Sequence, residues 1–208
     1  MIFQATLVTD GTSDIVLVPI LDWLIAQLTE TRIEIRWADL RGLRRRPRGL
    51  RDRLDLATRL YPCDILFVHR DAENQEPDLR CDEIRIANST GVRHVCVVPV
   101  RMQEAWLLHN EAALREAADR PSGRNPLDLP PSARWEVIPD PKGMLHNALR
   151  IASGARGRRA KRFNPSRAAY RLAELITDWS PLRPLRAFTR LETDTSNALT
   201  NLDIPLRD

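Results

Sequence analysis

The first hundred residues alternate between short strand-like runs and longer segments with helical spacing. Mostly apolar or alternating β-rich runs occupy four segments, at residues 3–8, 32–37, 64–68 and 94–100. Apolar side chains recur every three or four residues in the segments between them, at residues 15–28, 50–60 and 79–88. This β-α-β-α-β-α-β order predicts an α/β fold, with a mostly parallel, Rossmann-like sheet flanked by helices.

The remaining half of the chain carries a mostly helical pattern. Residues 103–118 have helical spacing with a break near Asn110, and residues 121–131, rich in Pro, Gly, Ser and Asn, predict a loop. Further elements are predicted as a last strand at residues 135–138, helices at 140–151, 166–178 and 184–191, and a basic, mobile segment at 154–165. We therefore predict an α/β domain over residues 1–152 and a basic, mostly helical C-terminal region over residues 153–208 that packs on it.

Composition and cysteine usage narrow the class of protein. The 208 residues are 43% hydrophobic, enough for one sizeable core. They contain no apolar run of about 18 residues that would predict a membrane span. The first residues lack the basic flank and small-residue cleavage site of a signal peptide, so we expect a cytoplasmic protein. The three cysteines are odd in number and lack C-x-x-C spacing, which predicts buried free thiols rather than disulfides or a zinc cluster.

The positive charge is concentrated in two arginine-rich clusters. The net charge is +4 and the pI about 9.4, and the clusters lie within residues 41–53 and 156–162. Guanidinium groups bind phosphate bidentately, so the clusters suit a nucleic-acid backbone. The predicted contact residues are Arg44, Arg45, Arg46, Arg158, Arg159, Lys161 and Arg162. The alternatives are an ordinary solvated surface or a contact with an acidic partner protein.

Acidic residues directly follow two of the predicted strands. The first strand ends in D-G-T-S-D, which places Asp10 and Asp14 four residues apart. The third strand is followed by His69, Asp71 and Glu73. Ligands of parallel α/β sheets gather at the carboxyl ends of strands, and converging oxygens favour Mg²⁺ or Mn²⁺. The structural alternatives are that Asp14 only stabilises a helix N-terminus and that Asp71 only starts a turn.

A third acidic residue, Glu104, follows the fourth predicted strand in the segment E-A-W-L-L. It would lie at the same edge of the sheet, and the alternative is a glutamate that caps a helix beside a core tryptophan. The sequence has no G-x-x-x-x-G-K-[ST], no G-x-G-x-x-G and no G-x-S-x-G. It therefore lacks a P-loop, a dinucleotide fingerprint and a serine nucleophile elbow.

Together these motifs resemble the TOPRIM domain of topoisomerases, primases and OLD-type nucleases. More closely, they resemble a bacterial domain-of-unknown-function family allied to TOPRIM (number four-two-seven-six). That family shows E-G-x-[ST]-E, a D-x-D-like strand end, E-A-W-[LF]-L and P-K-x-x-L. The matching segments here are D-G-T-S-D at residues 10–14, H-R-D at 69–71, E-A-W-L-L at 104–108 and P-K-G-M-L at 141–145. The resemblance spans nearly the whole chain and weakens after about residue 155.

The resemblance implies a TOPRIM-like fold over residues 1–152 and a nuclease that depends on Mg²⁺ or Mn²⁺. The implied catalytic residues are Asp10, Asp14, Asp71, Glu104 and Lys142, and the implied metal ligands are Asp10, Asp14, Asp71, Glu73 and His69. Two positions depart from the family pattern: Asp10 stands where glutamate is usual, and His69 replaces the first aspartate of D-x-D. Histidine can bind Mn²⁺ but is a poor ligand for Mg²⁺, and Glu73 offers a replacement carboxylate.

The resemblance also implies a biological setting. Similar proteins are encoded beside an ATPase of the ABC/SMC type and are linked to phage defence, so we expect a defence-type nuclease with that ATPase and nucleic acid as partners. No membrane partner is expected, and a homodimer is left open. The alternative is a non-catalytic, TOPRIM-like binding or regulatory subunit of an ATPase complex, which the departures at Asp10 and His69 favour. Other phosphotransfer chemistry, including nucleotide hydrolysis, is a third reading.

Overall fold

Four parallel strands form the sheet of this computed structural model, which describes residues 2–43, 47–73 and 75–207. They are β1 (Phe3–Val8), β2 (Ile33–Trp37), β3 (Ile65–His69) and β4 (Arg93–Val97), in the spatial order β2-β1-β3-β4. Leu7 of β1 is in register with Trp37 on one side and with Phe67 on the other. The predicted α/β fold with a parallel sheet is confirmed.

Helices cover both faces of this sheet. The helices that connect the strands are α1 (Leu17–Leu28), α2 (Leu50–Leu60) and α3 (Pro77–Ala87). Leu7 and Phe67 share one core with α1, whereas Leu66 and Val68 pack against α2 and α3 in a second core. Because β3 is buried on both faces, its sequence is an almost continuous apolar run.

The C-terminal half is helical, as predicted, and joins the first core. Its helices are α4 (Glu111–Ala117), α5 (Pro141–Ser153), α6 (Arg158–Arg162), α7 (Pro165–Leu175) and α8 (Arg186–Thr200). Trp106, Trp179 and Phe188 are fully buried among them. Within the described residues, a membrane span would need a longer and more apolar helix than any present.

Local predictions in this half have mixed outcomes. The break near Asn110 is confirmed, because the Asn110 side chain caps α4 by accepting the backbone N–H of Ala113. The strand predicted at residues 135–138 is wrong: Ser132–Val137 forms a 3₁₀ helix. The physical reason is local, since the Trp135 indole N–H donates to the Pro130 carbonyl at 3.0 Å. Prolines flanking this segment also lack the backbone donors that a strand needs.

The structure also bears on two further predictions, for the cysteines and for the segment after α5. All three cysteines are free thiols, as predicted; Cys81 is buried, and Cys63 and Cys96 are half-buried. The segment expected to be mobile, residues 154–165, contains α6. Every residue of that short helix is exposed, so it stands on the surface.

Candidate functional site

The strand order places a crevice at the carboxyl ends of β1 and β3. These neighbouring strands lead into helices on opposite faces of the sheet, α1 after β1 and α3 after β3. Such a topological switch point is where open parallel sheets bind ligands. The predicted site residues lie here: residues 10–14 follow β1, His69 is the last residue of β3, and residues 70–73 follow it.

Asp14 lies buried beneath the first loop, in the 3₁₀ helix Ser13–Val16. Its carboxylate accepts hydrogen bonds from the Gly11 backbone N–H at 2.8 Å and from the Ser13 hydroxyl at 3.0 Å. A third donor comes from far along the chain: the Gln103 side-chain amide, at 2.8 Å. Asp14 therefore stabilises its own loop and also joins that loop to the residues that follow β4.

His69 is the centre of the buried group. Its side chain is 1% exposed, and its Nδ1 lies 2.8 Å from the Val97 carbonyl oxygen. A carbonyl oxygen only accepts, so Nδ1 carries the hydrogen and the ring orientation is fixed. The other nitrogen, Nε2, faces Asp71 Oδ1 at 3.5 Å and Asp14 Oδ2 at 3.9 Å. Nε2 therefore faces two carboxylates from two different loops.

Asp71 forms the more open side of this group. Burial raises its pKa to about 6; the charge of His69 lowers the pKa, while Glu104 and Asp14 raise it further. The backbone N–H of Gln103 donates to Asp71 Oδ1 at 3.2 Å. Gln103 thus contacts both aspartates, one through its side chain and one through its backbone. The sequence prediction missed Gln103, although its place directly before Glu104 was the available signal.

Glu104 and Lys142 form the next part of the site. Glu104 Oε1 lies 3.5 Å from the Lys142 ammonium nitrogen, while Glu104 Oε2 is buried without a hydrogen-bond partner. Burial raises the pKa of Glu104, and the charge of Lys142 counteracts that rise. Lys142 is in the first turn of α5, and its side chain is 42% exposed. Its ammonium group therefore connects the buried carboxylate with the surface.

Asp10 and Glu73 lie apart from this group. The Asp10 carboxylate is paired with Arg53 of α2 and with Arg70, whose Nε lies 3.2 Å from it. Glu73 is exposed in a turn with a positive φ of 54°, and its backbone bonds to Arg101. The structure thus brings together Asp14, His69, Asp71, Glu104 and Lys142 and leaves these two predicted ligands outside.

The positions of these side chains show whether they could hold the divalent cation that the resemblance implies. The donor chemistry, one imidazole nitrogen and several carboxylates, suits Mn²⁺ better than Mg²⁺. Neighbouring ligands on one octahedral ion stand about 3 Å apart, whereas the Nε2–oxygen separations here are 3.5 and 3.9 Å. Among the described residues, no group of three or more His, Cys, Asp or Glu side chains is placed to hold a metal ion. As placed, these residues do not fit a bound divalent cation.

The two arginine-rich clusters differ in their surroundings. Arg44, Arg45 and Arg46 lie outside the described residues, so their predicted contacts stay a prediction. Three described neighbours in that cluster are engaged within the molecule: Arg41 pairs with Asp39, Arg51 donates to the Ile86 carbonyl, and Arg53 pairs with Asp10. In the second cluster, Arg158, Arg159, Lys161 and Arg162 are exposed on α6.

A comparison of the chain with protein-family models, with curated proteins and with solved structures finds no match.

Proposed function

We propose that this chain is a TOPRIM-like nuclease subunit that hydrolyses phosphodiester bonds in a bacterial defence-type system, together with an ATPase partner. The observation that supports the proposal most is the convergence of Asp14, His69, Asp71 and Glu104 at the switch point of a parallel sheet. Four side chains from three separate loops meet where this kind of sheet binds ligands. The order of the motifs along the chain supports it further.

The side chains have the chemistry that phosphodiester hydrolysis needs. A raised pKa near neutrality suits Asp71 to take a proton from an attacking water, since general bases work best near the operating pH. The imidazole of His69, fixed by its bond to the Val97 carbonyl, places Nε2 3.5 Å from that carboxylate. Lys142, at the surface end of the site, neutralises a phosphate oxygen. Dependence on Mg²⁺ or Mn²⁺ stays a prediction of the resemblance, which an assay with and without EDTA tests.

A specific observation favours a second function, that of a non-catalytic binding or regulatory subunit. The carboxylate of Asp10, where the family has its first acidic residue, is neutralised by Arg53 and Arg70. The oxygens of Asp14 are likewise satisfied by hydrogen bonds within the chain. An acidic site whose charges are already paired attracts a cation less strongly.

Asp71→Asn distinguishes the two functions, because the amide keeps the shape of the carboxylate but cannot accept the proton. We expect cleavage of DNA or RNA to fall by about 100-fold or more. The matched control is Asp82→Asn, an exposed carboxylate of α3 paired with Arg85, and it should cut as the wild type does. Single- and double-stranded DNA and RNA are incubated with Mg²⁺, Mn²⁺ or EDTA, with and without any ATPase encoded beside the chain.

The opposite results support the regulatory subunit. Intact substrates in every arm, or equal cleavage by Asp71→Asn and wild type, exclude the proposed nuclease site. Stable co-purification with the ATPase, and normal defence by an Asp10→Ala, Asp71→Ala double variant, then assign the chain a regulatory function.

A further inference from the structure

A groove of about 490 Å³ lies on the opposite side of α7 from the candidate site. We call it the α6–α7 groove; its lining includes Arg162, Phe163, Arg167, Tyr170 and Arg171. Two carboxylates also line it, and both are engaged within the chain: Asp119 pairs with Arg171, and Glu174 accepts the Tyr170 hydroxyl. It lies between the end of α4 and the start of α7, so three elements of the C-terminal half shape it. The groove combines arginine and aromatic side chains, a composition that calls for a ligand with both phosphates and flat rings.

Five of the described cations on this surface have no carboxylate partner, whereas Arg171 pairs with Asp119. Among the described residues, Arg158, Arg159, Lys161, Arg162 and Arg167 are exposed and take part in no ion pair. Several arginines elsewhere on the surface are paired, as Arg32 is with Glu34 and Arg85 with Asp82. Unpaired like charges on neighbouring turns repel one another, so a polyanion that lies across them relieves that repulsion.

The aromatic side chains indicate which polyanion fits. Tyr170 is 39% exposed, so its ring is accessible to a ligand, and its hydroxyl bonds to Glu174. Phe163 is half-buried at the end of α6. Bases stack on such rings only when they are not already stacked in a duplex. Phosphate-binding arginines beside an exposed ring therefore match a single strand.

The far side of α7 reaches the candidate site. Ser166 and Ala169 of α7 line a small cavity together with Glu104 and Lys142. A helix is about 10–12 Å across with its side chains, so a strand in the groove lies about one helix diameter from Lys142. A chain of nucleotides held on α6 and α7 can thus extend to the exposed ammonium group.

We propose that the α6–α7 groove binds single-stranded nucleic acid, with phosphates on the arginines of α6 and α7 and a base on Tyr170. The inference rests on the proposed function, because it names the substrate class of that nuclease. It also names where the phosphates and one base of the strand would bind, which the acidic site does not provide.

Fluorescence anisotropy with labelled 12-nucleotide single strands of DNA and RNA tests the groove, in EDTA and in the Asp71→Asn background, so that hydrolysis cannot intervene. We expect Arg162→Gln/Arg167→Gln to weaken binding by about tenfold or more, and to reduce the slope of log K against log salt by about 1.4. The matched control, Arg32→Gln/Arg85→Gln, removes the same charge from arginines that are paired elsewhere. It should change the affinity by less than about twofold.

Tyr170→Leu and Tyr170→Phe separate stacking from charge. We expect the leucine variant to bind single strands about fivefold or more weakly, and the phenylalanine variant to bind as the wild type does. A hairpin duplex of the same length should bind less tightly than the single strand. Equal losses in the groove and control variants, tighter binding of the duplex, or stronger competition by polyglutamate than by the oligonucleotide would overturn the inference.

Binding and cleavage then separate the two proposals. If the groove variants keep full binding while Asp71→Asn abolishes cleavage, the groove inference fails and the proposed function stands. If the groove variants lose binding while Asp71→Asn still cuts, the groove is supported and the proposed nuclease site is wrong.

Discussion

The imidazole of His109 is packed against the indole rings of Trp135 and Trp179, with ring centroids 6.1 and 5.3 Å away. Its Nε2 is buried without a hydrogen-bond partner. Burial lowers the pKa of His109 from 6.5 to about 4, and the nearby charge of Asp178 only partly offsets that. The folded protein therefore keeps this ring neutral at pH values where the unfolded chain protonates it.

A depressed histidine pKa destabilises the fold as the pH falls. Between about pH 6.5 and pH 4 the unfolded chain binds the extra proton, so the free energy of unfolding decreases from pH 7 to pH 5. His109→Leu removes this contribution. We expect the decrease between pH 7 and pH 5 to be smaller in the variant by about 2 kcal/mol, measured by urea unfolding at both pH values. Asp71 and Glu104, with raised pKa values, have the opposite slope, but they are present in both proteins and cancel in the difference.

At the same scale, the position of acidic residues relative to strand ends predicted most of the candidate site. Asp14, Asp71 and Glu104 meet because parallel strands end at one edge. The direction of the Asp10 side chain could not be predicted in this way, because it depends on Arg53, 43 positions away in α2. The hydrogen bonds of Gln103 depend in the same way on two loops that only the folded chain brings together.

At the scale of elements, the succession of strands and longer helices along the chain followed from periodicity, whereas the spatial order of the strands and the short segments did not. The helix α5 illustrates a strong local signal: Asp140 precedes Pro141, and its side chain accepts the Gly143 backbone N–H at 2.8 Å. In this arrangement a Cβ at position 143 would collide with the Asp140 carboxylate, so the glycine leaves room for the cap. Residues 135–138 are too few to establish a period, so their apolar character did not distinguish a strand from a 3₁₀ helix.

The cap of α5 also positions Lys142, which gives a prediction for this element. Asp140→Ala removes the acceptor and should lower the free energy of unfolding by about 1 kcal/mol. Asp140→Asn keeps an oxygen acceptor and should cost much less, which makes it the matched control. Urea unfolding at pH 7 measures both. If the two variants lose the same stability, the charge of Asp140 matters rather than its capping hydrogen bond.

At the scale of the whole molecule, the C-terminal helices contribute buried side chains to the first core and do not merely lie on its surface. Phe188 of α8 packs edge-on against Trp106, with ring centroids 5.6 Å apart, and both are buried. The end of the chain returns to α1: the Arg207 backbone N–H donates to the Leu28 carbonyl at 2.8 Å. The Thr29 hydroxyl donates to the Pro205 carbonyl at 2.6 Å. The composition of this region is basic, but the apolar residues of α8 are what join it to the first core.

A chain that ends at residue 152 should therefore not fold as the full chain does. Removing α7 and α8 uncovers the face of α1 and the ring of Trp106, which the remaining residues have no means to bury. We expect loss of a cooperative thermal transition, measured by circular dichroism. Within the full chain, Leu191→Ala, at a fully buried position of α8, should cost about 2–5 kcal/mol. Leu206→Ala, at an exposed position, is its control and should be nearly neutral. A cooperative transition in the shortened chain would instead make residues 1–152 an independent domain, with residues 153–208 as a separable region.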